Sequence, residues 1–558
     1  MVKGYPGERG YVLLLVPVIL LAIITLSYTS LRKSKLSLRI AGGEMNYLQT
    51  ELCSQQCASL AVNATNKAFN SGTPVTARTE SCRCDPLACS NTFSVPVQDN
   101  FANCYGHTTW RTLVDVASTC REGGQELAKL TESVNFHEVP VFQFAVFFEK
   151  ILELHPGPDM QIRGAAHSND TIRIYPDNEL IVHDWMTSSK TIEMRVAFLA
   201  TPATGTSFAL YGGGQGAKVQ SPGGTFRSLH RFIPDWPAFQ KAHRVAYGDQ
   251  AGKCGKVESL QLNIQSLSNP RALIDWRVST DAPDLRRWKY AWNASLIYRQ
   301  GWKNNDLSTA ILDNPVVIPP NVTVMGGRVA FTENRDYITV KLIPIDVRKL
   351  QQRAGDSIVY LHDSFTDALQ GGKDVGGFLL HNARSLKGPF TIASNSRIYI
   401  QGSFNVDSVY IVNGARKPYP AAIACDYYTQ LSNEWRGTDP SYPAGTAIRF
   451  RNPNARTVLN ACLLAGMTAF NGTWSGQGGF HNYIRLMEDW ENVPFEYSGS
   501  SVALWDARLS QSRFTGGSYS PPIRQWAFEP MYRSMNHLPP GTPRMVSPQL
   551  NAWEMSRQ

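Results

Sequence analysis

The sequence predicts a mainly β body carried on an amino-terminal transmembrane α-helix, and three observations predict it. Tyr11 to Leu26 (YVLLLVPVILLAIITL) contains no charged side chain, and with Ser27 to Leu31 it reaches about twenty residues. At about 1.5 Å per residue that spans a bilayer core of about 30 Å. Downstream, the runs MQIRG, DTIRIYP, ELIVHDW and KTIEMRV alternate apolar and polar residues, with Ile162, Ile172, Ile181 and Ile192 about ten residues apart. Finally, 43 Gly and 33 Pro interrupt the 558 residues, which favours many short strands and turns. Regular repetition of short strands suggests a parallel β-solenoid with inserted helices and loops, each coil covering the apolar face of the next. A β-sandwich gives much the same spacing, and both stay open.

Taken in order, residues 1–10 form a short polar leader with Lys3, Glu8 and Arg9, and residues 11–72 the membrane helix and its extension. The apolar run leaves through Ser27-Tyr28-Thr29-Ser30-Leu31, unlike the small-residue exit of a cleaved secretory signal. Residues 73–137 read as a Cys-rich subdomain, loop from Thr73 to Val97 and helical from Trp110 to Val134, where Leu113, Val116, Leu127 and Leu130 recur near helical spacing. Val139 to Phe148 opens a first solenoid segment at 138–202. Residues 203–375 form an α+β insert and 376–558 a second solenoid segment. Tyr483, Ile484, Leu486, Met487 and Trp490 read as the core face of a flanking helix. Asn169, Asn405 and Asn433 are expected to cap turns or form a ladder of side-chain amides.

Seven of the ten cysteines, Cys53, Cys57, Cys82, Cys84, Cys89, Cys104 and Cys120, crowd one stretch. Their spacing is too irregular for a standard zinc ribbon, and no His pair stands beside them. Disulfides that staple a weakly cored subdomain outside the cytoplasm are the favoured reading. Cys425 and Cys462 lie in apolar runs and read as buried thiols. The lysines and arginines conflict with this placement. Lys3 and Arg9 precede the helix, whereas Arg32, Lys33, Lys35 and Arg39 follow it, which alone would put the bulk in the cytoplasm.

Composition is globular, at 43% apolar and 18% charged. The net charge of +9 is spread along the chain without a basic block interleaved with aromatics, so nucleic acid is not an expected partner. Chemistry is sparse. His167-Ser168-Asn169-Asp170 could be half of a Ser/His/Asp site, but no G-x-S-x-G accompanies it. Gly212 to Gly216 lacks the Lys-Ser/Thr of a phosphate loop. His362 to Asp367 lacks the full calcium-loop pattern. Glu488, Asp489 and Glu491 read as a solvated acidic face. No catalytic residue, metal or cofactor is expected. An anchored polysaccharide-active enzyme would need paired carboxylates that the sequence does not display. An adhesin remains open, since Trp185, Trp236, Trp276, Trp288, Trp292 and Trp302 make the middle aromatic-rich and could bind a surface glycan.

The junction Glu8-Arg9-Gly10-Tyr11 resembles a type IV prepilin, in which a charged leader ends in Gly and an aromatic residue opens a long apolar helix. The resemblance implies cleavage between Gly10 and Tyr11 by a prepilin peptidase, with N-methylation of Tyr11. Where major pilins carry Glu as the fifth mature residue, this chain has Leu15, as in PilX-type minor pilins and the pseudopilin placed at the tip of type II secretion fibres. The segment FQFAVFFEKILELHPGPDMQIRGAAHSNDTIRIY resembles large PilX-type proteins, matching at Phe142, Gln143, Ala145, Phe147, Leu152, Glu153, Pro156, Gly157, Pro158, Met160, Gly164, His167, Ser168 and Asn169. So do IYIQGSFN, PAAIACDYYTQLSNEW, FHNYIRLMEDW, GSSVALW and LPPGTPR nearer the carboxyl end. The resemblance covers about half the chain and implies a tip or initiating pilin-like subunit in the bacterial inner membrane, then in a pilus or at the cell surface, with its bulk outside. Leu15, Pro17, Leu20 and Ile24 would then face neighbouring pilin-like helices during assembly. Without the resemblance, the same residues read as a plain signal anchor.

Overall fold

A computed structural model describes residues 45–70, 75–84, 87–102, 107–122, 124–194, 198–200, 208–211, 227–228, 245–247, 270–275, 289–299, 323–325, 328–333, 338–355, 357–363, 374–435, 453, 455–468, 479–509, 520–550 and 554–557. The apolar stretch Tyr11 to Leu26 lies outside them. Among the described residues no helix is long and apolar enough to cross a membrane. Helix α1 (Met45–Asn70) is the longest, and Val347–Ala354 is a second. The latter starts where the Asp346 carboxylate accepts the Lys349 amide, which satisfies one orphan donor of its first turn. The rest is mainly β.

The ten-residue spacing resolves into pairs of strands on different sheets. Leu152, Ile172 and Ile192 are parallel register partners, as are Met160 and Leu180. Partners therefore recur at twenty residues, and the intervening isoleucine belongs to another sheet. Alternate residues point inward: Ile172 and Ile174 are buried while Arg173 is half-buried. Each buried Ile or Leu side chain contributes about 1.5–3 kcal/mol of apolar transfer.

The largest sheet has ten parallel strands, and its order is not the chain order. From one end it runs Val245–Tyr247, Met186–Ser188, Ala166–Ser168, Val146–Phe148, Ser501–Ala503, Cys462–Ala465, Ala421–Cys425, Phe390–Ser394, Ile358–His362 and Leu296–Arg299. The chain enters in the middle, builds to one end, reappears at the other and returns to meet its own start. The closing joint pairs Ser501 with Val146, Val502 with Phe147 and Ala503 with Phe148. A strap at 270–275 flanks the returning half. Buried Arg271 pairs with Asp426, and the Ile274 carbonyl accepts the Tyr360 hydroxyl at 2.7 Å.

Among the described residues, three other sheets combine parallel and antiparallel pairs. Ile338–Asp346 is antiparallel to Arg328–Glu333 and parallel to Asp374–His381. Glu179–Val182 is parallel to Met160–Ile162 and antiparallel to Phe208–Tyr211. Mixed sheets and permuted order overturn the expectation of a parallel solenoid, and of its sandwich alternative. The physical reason is that a strand has two edges. Val146–Phe148 fills one from the next coil and the other from a segment near the carboxyl end.

Two further expectations fail. Where loop and helix are expected over 73–137, the described residues form mostly strands of an antiparallel sheet that reaches Pro140. The stripe from Tyr483 to Trp490 is buried as expected, yet it is no helix. A 3₁₀ turn, Phe480–Asn482, leads into the short strand Arg485–Leu486. Glu488, read as solvated, is buried and accepts the Ser432 amide at 2.7 Å and its hydroxyl at 2.6 Å.

Candidate functional site

The densest chemistry outside the core lies where α1 meets the antiparallel sheet. Strands Arg78–Cys84, Leu87–Phe93, Thr108–Glu122 and Gln125–Pro140 pair in that order, and Arg544–Leu550 adds to the last. The helix buries Ala58, Ala61, Val62 and Thr65, and a small cluster unites Ala61 and Val62 with Phe93, Val114, Val116, Val134 and Phe136 of the sheet. This face is modest. Leu52 and Leu60 stay 42% and 55% exposed, so much of the helix's apolar surface is not used to hold it.

Sulfur does that work instead. Cys53 bonds Cys84 and Cys57 bonds Cys82, with Cα atoms 5.7 and 5.8 Å apart. The spacing allows both. Four helical residues rise about 6 Å, and two strand residues about 6.6 Å. A helix running antiparallel to the strand therefore offers two thiols in step with two on the strand. The third bond, Cys89 to Cys120, crosses neighbouring strands at directly opposed positions with Cα atoms 4.1 Å apart. Cys82 stands opposite Cys89 in the preceding pair, so Cys82, Cys89 and Cys120 form one row over three strands. Six of the seven candidate cysteines are thus paired; Cys104 lies outside the described residues, as do Gly10, Tyr11, Leu15, Pro17, Leu20 and Ile24. Cys425 and Cys462 are free and buried, and burial raises both thiols well above the ordinary value.

The sheet is bracketed to the ladder at Gln143. Its carboxamide accepts the Thr108 amide at 2.8 Å and donates to the Thr108 carbonyl at 2.6 Å. Next to it Phe144 packs between His107 (4.2 Å between centroids) and His167 (5.8 Å). Both imidazoles are buried and desolvation keeps them neutral, with pKa values of about 3 for His107 and about 4 for His167.

Residues singled out for chemistry turn out to be architectural. His167 contacts Thr187 at 2.8 Å and Asn169 at 2.9 Å, and it stacks on Phe147. The Ser168 hydroxyl donates to the Lys150 carbonyl, so no nucleophile faces a base. Asn169 donates to Glu149. Asn405, at φ +57°, donates to the Tyr419 and Asn460 carbonyls, and Asn433 accepts the Ser403 amide; each bridges adjacent turns. Gly164 has φ +122°, and a Cβ there would sit 2.7 Å from Cβ of Phe528. Trp185 packs against the core, whereas Trp236, Trp276, Trp288 and Trp302 lie outside the described residues. His362 and Asp363 are buried, and Ser364 to Asp367 and Gly212 to Gly216 are likewise outside. No group of His, Cys, Asp and Glu suited to a metal occurs among the described residues.

Glu153, matched above only as part of a motif, proves to be a buried carboxyl. Glu153 is buried beneath the Tyr175 hydroxyl, which donates to it, and desolvation lifts its pKa to about 7 against the pull of Arg173. Gly479 crosses over it at φ +35°, where a Cβ would lie 2.5 Å from the Glu153 carbonyl. The covering turn comes from more than three hundred residues away, so local pattern could not reveal it.

No protein-family model matches the chain, and no curated protein does. Among solved structures the chain is similar to the competence-associated pilin ComZ from Thermus thermophilus. The match has a TM-score of 0.26 and 11% identity, over 93% of this chain and 100% of that one. At that score the likeness carries no argument about fold or function.

Proposed function

We propose that this protein is a pilin-like subunit held in the bacterial inner membrane by residues 11–31, with a non-catalytic β body on the extracytoplasmic side, and passed from there into a pilus or secretion filament as a tip or initiating subunit. The observation that carries the reading is the clamp. The helix Met45–Asn70, which follows the apolar stretch in sequence, is bonded twice to a β-sheet through disulfides, which persist in oxidising compartments. The Gly10-Tyr11 junction supplies the processing step, and Leu15 in place of an acid supports a position other than the repeating shaft. Partners would be other pilin-like helices and, before assembly, the prepilin peptidase.

Mechanistically, Leu15, Pro17, Leu20 and Ile24 would exchange lipid for similar helices, and the clamp would hold the body in a fixed place on the rod. N-terminal mass spectrometry of the protein from its native membrane tests this. N-methylated Tyr11 as the first residue is expected; an intact Met1 would overturn the pilin-like reading and leave a signal anchor.

A further inference from the structure

The three disulfides form a connected path, and its geometry has a mechanical meaning. Residues Cys53 and Cys57 lie one turn apart along α1, and their partners Cys84 and Cys82 lie two residues apart along one strand. Helix and strand are in step, so a pull along the helix axis loads both bonds side by side. From that strand the load passes through a hairpin whose seven register pairs run from Arg78 opposite Phe93 to Cys84 opposite Leu87. The Cys89–Cys120 bond then carries it into Thr108–Glu122. From Trp110 to Glu122 that strand pairs with Gln125–Pro140, which leads into the ladder.

Without sulfur the path is weak. Burying Ala58, Ala61 and Val62 is worth only a few kcal/mol, at about 0.8 kcal/mol per methylene. The Ser54 and Thr65 hydroxyls donate to carbonyls of their own helix rather than to the sheet. The Asn91 side chain gives one polar tie, donating to the Cys57 carbonyl at 3.0 Å.

We propose that the Cys53–Cys84, Cys57–Cys82 and Cys89–Cys120 bonds act as a load-bearing clamp that transmits axial force from α1 into the β body. The inference rests on the reading that α1 continues a membrane or filament segment, which would be the source of the force. It assigns the cysteine row a function in use, beyond the stability of the folded chain.

The test is single-molecule stretching of the full chain in detergent, with one handle at the amino terminus and a second inserted at the exposed Asn413–Gly414 turn of the hairpin Tyr410–Lys417. In the oxidised protein two loops of 31 residues each are withheld from the stretched chain, the Cys57–Cys82 loop lying inside the first. At about 3.5 Å per residue, reduction with a dithiol should lengthen the fully extended molecule by about 21 nm. It should also introduce a new, lower-force first event as the helix leaves the sheet. A variant with Cys53, Cys57, Cys82 and Cys84 all changed to Ser keeps Cys89–Cys120 and serves if the reduced protein does not refold. It should gain about 10 nm and show the same early event. The added length with an unchanged first-rupture force would overturn the proposal, since the bonds would then exist without bearing load. Intact Met1 in the native protein would remove the source of the force and leave this result standing, so the two failures are distinct.

Discussion

The two bonds between helix and strand enclose one another, and this makes their contributions interdependent in a way that can be measured. Cys53–Cys84 closes a loop of 31 residues and Cys57–Cys82 one of 25 within it. By the chain-entropy relation either loop closed alone is worth about 3.6 kcal/mol. Once one is closed, the other completes only a small ring through four helical and two strand residues, worth about 2 kcal/mol. Changing Cys53 and Cys84 to Ala should therefore cost about 2 kcal/mol, and changing Cys57 and Cys82 about the same. Removing all four should cost nearly 6, leaving a coupling of about 1.5 kcal/mol beyond the sum. Several sheets make global two-state unfolding a poor measure, so the readout is native-state hydrogen exchange of amides in Thr108–Glu122, which lies beneath the helix. Additive single and double losses would refute the enclosed pairing, because bonds that share no loop have no reason to couple.

Three other outcomes follow from the geometry. A Cβ on Gly499 would lie 2.0 Å from the Ala461 carbonyl oxygen, so Gly499→Ala should loosen the joint beside Ser501–Ala503 and cost 1–3 kcal/mol or more, read as lost protection at Val146–Phe148. Glu153 is raised to about 7 by burial, so its stabilising contribution is complete below the ordinary carboxyl range and declines as pH climbs to 7. Glu153→Gln should flatten that decline and gain up to about 3 kcal/mol at pH 8, read as native-state hydrogen-exchange protection at Ile172–Ile174; an unchanged pH profile would count against a buried carboxyl. The signs reverse for His107 and His167, whose depressed values make their stabilisation complete above about pH 6.5 and lost as pH falls toward 4 and below. Protection at Ala166–Ser168 should fall over that range by as much as about 3 kcal/mol from His167 alone.

The strands from Met160 to Met194 are legible because each buries alternate apolar residues against like neighbours, as Ile172 and Ile192 do. The antiparallel sheet is not, because its inward positions are occupied by the wrong residue types for a simple pattern. Along Thr108–Glu122 the buried face is Thr112, Val114, Val116, Ser118 and Cys120, while Leu113 is only half-buried. Reading apolar residues alone makes Leu113 and Val116 a helical pair. Strands such as RTESCRC carry almost no apolar signal, since cross-links replace the packing that would have produced one. The clustering of thiols announced disulfides, whereas their partners depend on a helix lying in step with a strand. Within Phe142 to Asn169, Gln143 forms a bracket, Phe147 and His167 stack, and Gly164 sits where a side chain would clash, all of them structural roles.

The return of the chain to its own beginning bears on how it can be made. During synthesis Val146–Phe148 acquires one neighbour within about twenty residues, but Ser501–Ala503 emerges some 350 residues later. At about 5–20 residues per second, the far side of that strand waits tens of seconds with its amides and carbonyls vacant. Vacant strand edges invite strangers. Two nascent copies could each donate a carboxyl half to the other and complete the same hydrogen bonds, producing an interlocked pair. Crowded expression should yield such pairs, and slow or shielded delivery should suppress them.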